Sequence, residues 1–211
     1  MTVVTAPQKK ASTVSLPKAN PLIETDVYLH IKLRGFNDQP LFFEPSDYHY
    51  FEFLLQHNLT NHIAEMERFG GIYPDFHNDI ELLCFSLLET RLYLLIHQKS
   101  SLRAKEFLKS LLTRYARYYR MKYERLGPVF DPTQRVAPIR SQRDFDFVSR
   151  SIHLSPPRWQ KYRYSSLHYY LDENSPPWLK VDRLLSAFTS PLTYLAFLKN
   201  YENYRENQKN R

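Results

Sequence analysis

Residues Val27–Phe36 read VYLHIKLRGF, and the order of residue types in this stretch decides the fold class. Val27, Leu29, Ile31 and Leu33 fall on one side of a two-residue repeat, with His30, Lys32 and Arg34 on the other, so the spacing predicts a strand with one face buried and one wet. Downstream, Glu44-Pro45-Ser46-Asp47 opens a helix expected to run to about Met66, with proline in the first turn and an apolar face at Tyr48, Phe51, Leu54 and Leu55. Phe69-Gly70-Gly71 through Asn78 reads as a loop. Ile80–Leu88 and Leu92–His97 are apolar runs separated by Glu89-Thr90-Arg91, short enough to pair as a hairpin. Ser101 to about Arg125 is the longest predicted helix, with Leu108, Leu112, Tyr115 and Tyr119 along one face and Gly127-Pro128 as its stop. Val129–Ile139 holds a short strand around Val136, which Pro132 and Pro138 confine to a sheet edge. A helix from Asp144 to about Leu154 and two helical segments, Trp178–Phe188 and Leu192–Tyr204, complete the chain. The order β-α-β-β-α-β, with helices at the end, predicts an α+β fold: a small antiparallel sheet backed by helices.

Length and charge narrow the function. The 211 residues, 43% hydrophobic and 24% charged, suit one compact domain with short appendages, and a formal net charge of +7 favours a polyanionic partner. The excess is unevenly placed. Residues 20–98 hold 4 basic against 12 acidic side chains, whereas 99–125 hold 9 basic against 2 acidic, so the basic character belongs to the long helix. Residues 1–20 carry Lys9, Lys10 and Lys18, lack apolar periodicity and read as a flexible basic arm without the apolar core of a secretory signal. A single cysteine, Cys84, excludes an intramolecular disulfide framework and multi-cysteine zinc motifs, and its apolar strand context makes it a buried small hydrophobe. No apolar run is long enough to span a bilayer, so no membrane association is expected and the cytoplasm, at the nucleoid if DNA is bound, is the expected location.

The stretches YLHIKLRGFNDQPLFF (Tyr28–Phe43), SLLTRYARYYRMKYER (Ser110–Arg125) followed by Gly127-Pro128-Val129-Phe130, RSIHLSP (Arg150–Pro156) and Tyr164-Ser165-Ser166 occur in an order that resembles the single-tyrosine HUH transposases, in particular the REP-associated tyrosine transposases of bacteria. The likeness covers residues 27 to 171, and Trp178–Phe188 matches a C-terminal extension of that subgroup. It implies a ferredoxin-like sheet and three parts to the chain: the arm 1–20, a transposase-like domain 21–171 and a helical extension 172–211. The family's chemistry needs a His-hydrophobic-His pair on a central strand, which binds a divalent ion together with a helical Asn or Gln. It also needs a tyrosine one turn earlier on that helix, which becomes covalently linked to DNA.

Each of those positions departs here from the family pattern. Where the family has Met-Pro-Asn-His-x-His, this chain has Leu88, Glu89, Thr90, Arg91, Leu92 and Tyr93; where it has Tyr-Ile-His-x-Asn-Pro, the residues are Ser151, Ile152, His153, Leu154, Ser155 and Pro156. Arg91 and Tyr93 are not ordinary ligands for magnesium or manganese, and Ser151 needs a base or metal to act as a nucleophile. The resemblance therefore implies a pseudoenzyme with no catalytic residue, metal or cofactor. It also implies DNA binding, to a hairpin or single-stranded element, by Lys32 and Arg34, by the helix residues Arg114, Arg117, Arg120, Lys122 and Arg125, and by Arg140, Arg143, Arg158, Trp159, Lys161 and Arg163. His97 and His153 read as structural. Two other readings stand beside this one: an active strand transferase or nuclease with relocated groups, and an interaction module that has lost nucleic-acid binding, in which the acidic 20–98 half meets a basic protein partner or the basic 99–125 segment of another copy.

Overall fold

The computed structural model describes residues 20–61, 75–133, 135–172 and 174–209, with side chains described to residue 202. The basic arm with Lys9, Lys10 and Lys18, and the stretch containing Met66 and Phe69-Gly70-Gly71, lie outside these residues. Four strands form one antiparallel sheet: β1 (Val27–Arg34), β2 (Ile80–Leu88), β3 (Arg91–Gln98) and β4 (Arg135–Ile139), in the order β2-β3-β1-β4. With helices α1 (Pro45–Leu59) and α2 (Arg103–Tyr123) as crossovers, this is the α+β order read from the sequence, in the ferredoxin-like arrangement that the resemblance implies. β4 lies at an edge, where Pro138 removes no hydrogen bond from a central ladder.

The pleat of β1 sorts its side chains as the sequence predicts except at His30, which falls on the expected wet side but is buried. Leu29, Ile31 and Leu33 are buried, whereas Lys32 and Arg34 are exposed on the opposite face. Helix α1 packs on α2, and both touch β2. The other face is covered only in part, by α3 (Gln142–His153), which crosses β2 and β3 and sets Phe145 edge-on to Tyr28, with ring centroids 5.1 Å apart.

Several boundaries move, each for a local reason. β1 ends at Arg34, not Phe36, because Gly35 makes only an isolated bridge to Phe130 and the chain turns through Phe36–Asp38, where Asn37 and Asp38 have φ of 53° and 56°. Helix α1 stops at Leu59, short of Met66, where Thr60 swings to an extended conformation. α2 is two residues shorter at each end than expected, bounded by Leu102 and Glu124 in left-handed conformations. α3 starts at Gln142 because the Ser141 hydroxyl accepts from the Asp144 amide, and it ends at His153, which leaves Ser155 just beyond the helix. The short helix α4 (Leu167–Leu171) has no clear signal in the residue pattern.

The largest correction concerns Trp178–Phe188. Only Asp182–Leu185 is helical (α5), and Leu179 lies extended beside β2, where the Lys180 amide donates to the Leu82 carbonyl. Tyr164-Ser165-Ser166 lies along the same edge, bridging at Ser86 and pairing with Phe85 and Leu87. Both segments satisfy an edge strand that would otherwise display unpaired backbone groups, and that gain outweighs the helical pattern of the sequence. Helix α6 (Pro191–Lys209) then returns across α3, burying Tyr194 and Leu198. Cys84 is fully buried, and burial pushes its thiol well up.

Gly35 is a tight point in this frame. A Cβ at that position would lie 1.9 Å from the Gln39 carbonyl oxygen, a backbone atom that cannot rotate away. Gly35→Ala is expected to destabilise the chain by about 2–3 kcal/mol in urea unfolding, because the turn that follows Arg34 must open.

Candidate nucleic-acid interface

The partial cover of α3 leaves one end of the second sheet face open. Register places Arg135, Lys32, Tyr93 and Ser86 in one row across β4, β1, β3 and β2, with Arg34 opposite Arg91 in the next row. Alternation puts all of them on the face that bears Tyr28. Lys32, Arg34, Arg91 and Arg135 are exposed and Tyr93 is half-buried. Together with Leu33, Asp38 and Thr133 they border an open cavity of about 390 Å³.

Charge is poorly compensated there. Arg34 pairs with Asp131 at 3.0 Å and with Asp38 at 3.8 Å. The side chains of Lys32, Arg91 and Arg135 have no hydrogen bond or ion pair among the described residues. One row inward, His30 is buried, and its Nε2 has no hydrogen-bond partner among those residues. Burial first, and the Lys32 charge second, push its imidazole down to about 4, so the ring is neutral near pH 7.

Two of the stretches to which the resemblance assigns metal ligands meet at this row, Tyr93 on β3 and Ser155 just after α3, although they lie some 60 residues apart. Tyr93 is paired with Ser86, and the Ser155 hydroxyl lies 3.1 Å from the Ser86 hydroxyl while donating to the Ile152 carbonyl at 2.7 Å. Ser151, one turn back on α3, donates to the Val148 carbonyl at 2.9 Å, with no hydrogen bond to a base among the described residues. A divalent ion does not fit this donor set. Two hydroxyls, a phenol and an arginine supply no anionic oxygen or imidazole, and the neighbouring Lys32 and Arg135 repel a cation. Among the described residues, no group of three or more His, Cys, Asp or Glu could hold a metal ion.

The other candidates are scattered. On α2, Lys122 is turned inward: its ammonium lies 2.6 Å from Asp47 and 2.5 Å from Glu44, so the expected basic strip is broken at that point. Arg114 bonds the His57 ring at 3.2 Å, Arg120 the Gly127 carbonyl at 3.1 Å, and Arg125 lies over the Phe43 ring while reaching Gln39. Arg117 is exposed beside Tyr50 and Met121. These side chains belong to the helical layer, on the far side of the sheet from the open row.

In the 140–163 segment, Arg140 pairs with Glu24 at 2.6 Å, while Arg143, Arg158, Lys161 and Arg163 are exposed. Trp159 is buried and its indole donates to Glu202, which places it in the core rather than on a stacking surface. Tyr164 stacks on Tyr48 with centroids 3.9 Å apart, and the Tyr162 hydroxyl donates to the Leu87 carbonyl. Lys161 and Arg163 border a separate cavity of about 810 Å³ with Glu52 and His168. Much of the acidic half is neutralised within the chain, through Lys99 to Glu81, Arg103 to Asp79 and Lys122 to Asp47. Both singled-out histidines are structural in geometry: His97 bridges Glu81 and Asp26, and His153 bridges Tyr194 and Ser166.

Arg91 and Arg135 are residues that composition alone does not single out for binding. Arg91 enters the sequence reading only as a degenerate metal position in the turn expected before β3, and Arg135 only as part of the short edge strand; that they flank β1 on one face follows from the register.

Comparison with solved structures finds the same fold in the REP-associated tyrosine transposase bound to a REP hairpin. The TM-score is 0.53 at 10% identity, and the match covers 77% of this chain and 89% of that one. No protein-family model and no curated protein matches the chain. The likeness is one of fold, and it agrees with the family resemblance read from the sequence blocks. No described helix is long and apolar enough to cross a membrane.

Proposed function

We propose that this chain binds DNA, as a hairpin or single-stranded element, without cutting it, and acts as a regulator or assembly component descended from a transposase. The observation that carries this reading is the uncovered set of cations Lys32, Arg91 and Arg135 beside the ring of Tyr93. Cations neutralise phosphates, and an accessible aromatic ring accepts an unpaired base, which is the combination that single-strand binders use. The likeness to a transposase whose structure holds a REP hairpin supports the choice of DNA. The absence of a base at Ser151 and the poor ligand set at Arg91 and Tyr93 support binding without cleavage. The exposed cations Arg117, Arg143, Arg158, Lys161 and Arg163 are proposed as outlying phosphate contacts.

Purified protein mixed with hairpin oligonucleotides and Mg²⁺ or Mn²⁺ is expected to give a complex that weakens steeply with salt, with neither a nick nor a covalent adduct. A covalent protein–DNA band abolished by a single Tyr→Phe substitution would overturn the pseudoenzyme reading. Undetectable binding of DNA and RNA at low salt would favour a surface that recognises protein instead.

A further inference from the structure

The row of cations carries a cost that points to its ligand. Arg34 stands directly opposite Arg91, and Lys32 directly opposite Arg135, on antiparallel neighbours. Like charges at cross-strand positions destabilise a sheet, and here two such pairs are adjacent on one face. Among the described residues, only Arg34 of these four has carboxylates to offset it, Asp38 and Asp131. The sequence could have relieved the repulsion by a neutral residue at any of these exposed positions without disturbing the core.

We propose that this pocket is a metal-free phosphate site: it grips a phosphate group of the bound nucleic acid by direct ion pairs from Lys32, Arg91 and Arg135, with the adjoining base or sugar against Tyr93. The proposal rests on the DNA-binding reading and deepens it by naming what occupies the open row. The arrangement fits the chemistry. Guanidinium groups present paired N–H donors that match phosphate oxygens, and they stand on two different strands, β3 and β4, with Lys32 on β1, the strand between them. The cavity of about 390 Å³ has room for a phosphate and one ring but not for a duplex. An anion there removes the repulsion that the empty row carries, so binding and folding stability are coupled. Where the resembling family would place a cation to polarise a phosphate, this chain has fixed cations that hold one, and no divalent ion is needed for binding.

The test uses the full chain and inorganic pyrophosphate as the probe, beside a hairpin and a single-stranded oligonucleotide. Wild-type protein is expected to melt at a higher temperature in millimolar pyrophosphate, and to bind the oligonucleotides equally well in EDTA and in Mg²⁺ at matched ionic strength. The double variant Arg91→Gln with Arg135→Gln is expected to melt about 2 °C higher than wild type without ligand, because repulsion is relieved. It should lose the pyrophosphate response and bind the oligonucleotides at least tenfold more weakly, with a log–log salt slope shallower by about 1.5–2. Tyr93→Leu should keep the pyrophosphate response and lose roughly tenfold in single-strand affinity.

If the double variant keeps both the pyrophosphate response and the oligonucleotide affinity, the site is wrong while the DNA-binding reading stands. The site is equally wrong if Arg114→Glu with Arg117→Glu abolishes binding and the pocket variant does not. If wild type responds to pyrophosphate yet binds no oligonucleotide at low salt, the anion site stands and the DNA-binding reading falls. Binding that requires Mg²⁺ overturns the metal-free mechanism.

Discussion

His153→Ala is expected to destabilise the protein by about 4 kcal/mol, and the wild-type chain is expected to lose stability steadily as the pH falls below 6.5. The ring is fully buried where α3, the Ser165–Leu167 turn and α6 meet. Ser166 Oγ lies 2.8 Å from Nε2, and the Tyr194 hydroxyl lies 2.6 Å from Nδ1. The Ser166 hydroxyl also donates to the Phe85 carbonyl, so it accepts from Nε2–H, and Tyr194 donates to Nδ1; a neutral imidazole satisfies both contacts. Alanine leaves a cavity against Tyr170 and Tyr194 and two buried hydroxyls without this partner.

Burial, with a smaller push from His168, lowers the imidazole to about 3. Between that value and the ordinary 6.5, the unfolded chain holds a proton that the folded chain does not. The folded state is therefore favoured fully above pH 6.5, and that advantage is lost as the pH falls towards 3, to a total of roughly 4–5 kcal/mol. His30, lowered to about 4, adds in the same direction over a narrower window. Urea midpoints measured from pH 7.5 to 4 check this, and His153→Gln, which can still hydrogen-bond but cannot titrate, should flatten the profile. An unchanged profile in that variant would show that the buried ring is not the source.

Asp47→Ala is expected to cost about 3–5 kcal/mol in the same assay, the loss typical of removing one partner from a buried ion pair. The Asp47 side chain is fully buried at the first turn of α1. It accepts from the Phe43 and Glu44 amides, from the Tyr118 and Tyr123 hydroxyls and from the Lys122 ammonium. Burial works to raise its carboxyl, but the bonds from Lys122, Tyr123 and the two amides outweigh burial and hold it below the ordinary value. Its contribution is therefore present above about pH 4 and is lost as the pH falls through its folded value. Alanine takes this acceptor from five donors at once, of which Lys122 alone keeps a carboxylate, that of Glu44. Asp47→Asn, which keeps an acceptor oxygen, should lose less. Equal losses from both variants would mean that the charge, not the count of accepted bonds, holds the α1–α2 contact.

The two sites differ in how visible they are in sequence. Asp47 sits in the Glu44-Pro45-Ser46-Asp47 helix start, so its capping role is a local matter of residues three apart. Its partners on α2, some 75 residues away, are not. Lys122 reads as one member of a basic strip because its neighbours are basic, whereas its own charge is already met by Asp47 and Glu44. The same holds for Trp159, whose indole reads as a stacking ring between cations and is a core side chain bonded to Glu202.

Period-two patterning in VYLHIKLRGF, the hairpin spacing of β2 and β3 and the 3.6-residue face of α2 are carried within each segment and establish the α+β class, while Pro132 and Pro138 set β4 at an edge. Which cations stand together depends instead on register, on which strand neighbours which, and on where α3 stops short of covering the sheet. Lys32, Arg91 and Arg135 are brought into one open pocket by hydrogen-bond pairing between distant segments, and the Lys122 charge is met by Glu44 and Asp47 through the same kind of long-range contact. A charge is legible in the sequence as a number, but whether it is met inside the molecule or left for a phosphate is decided by what folds against it.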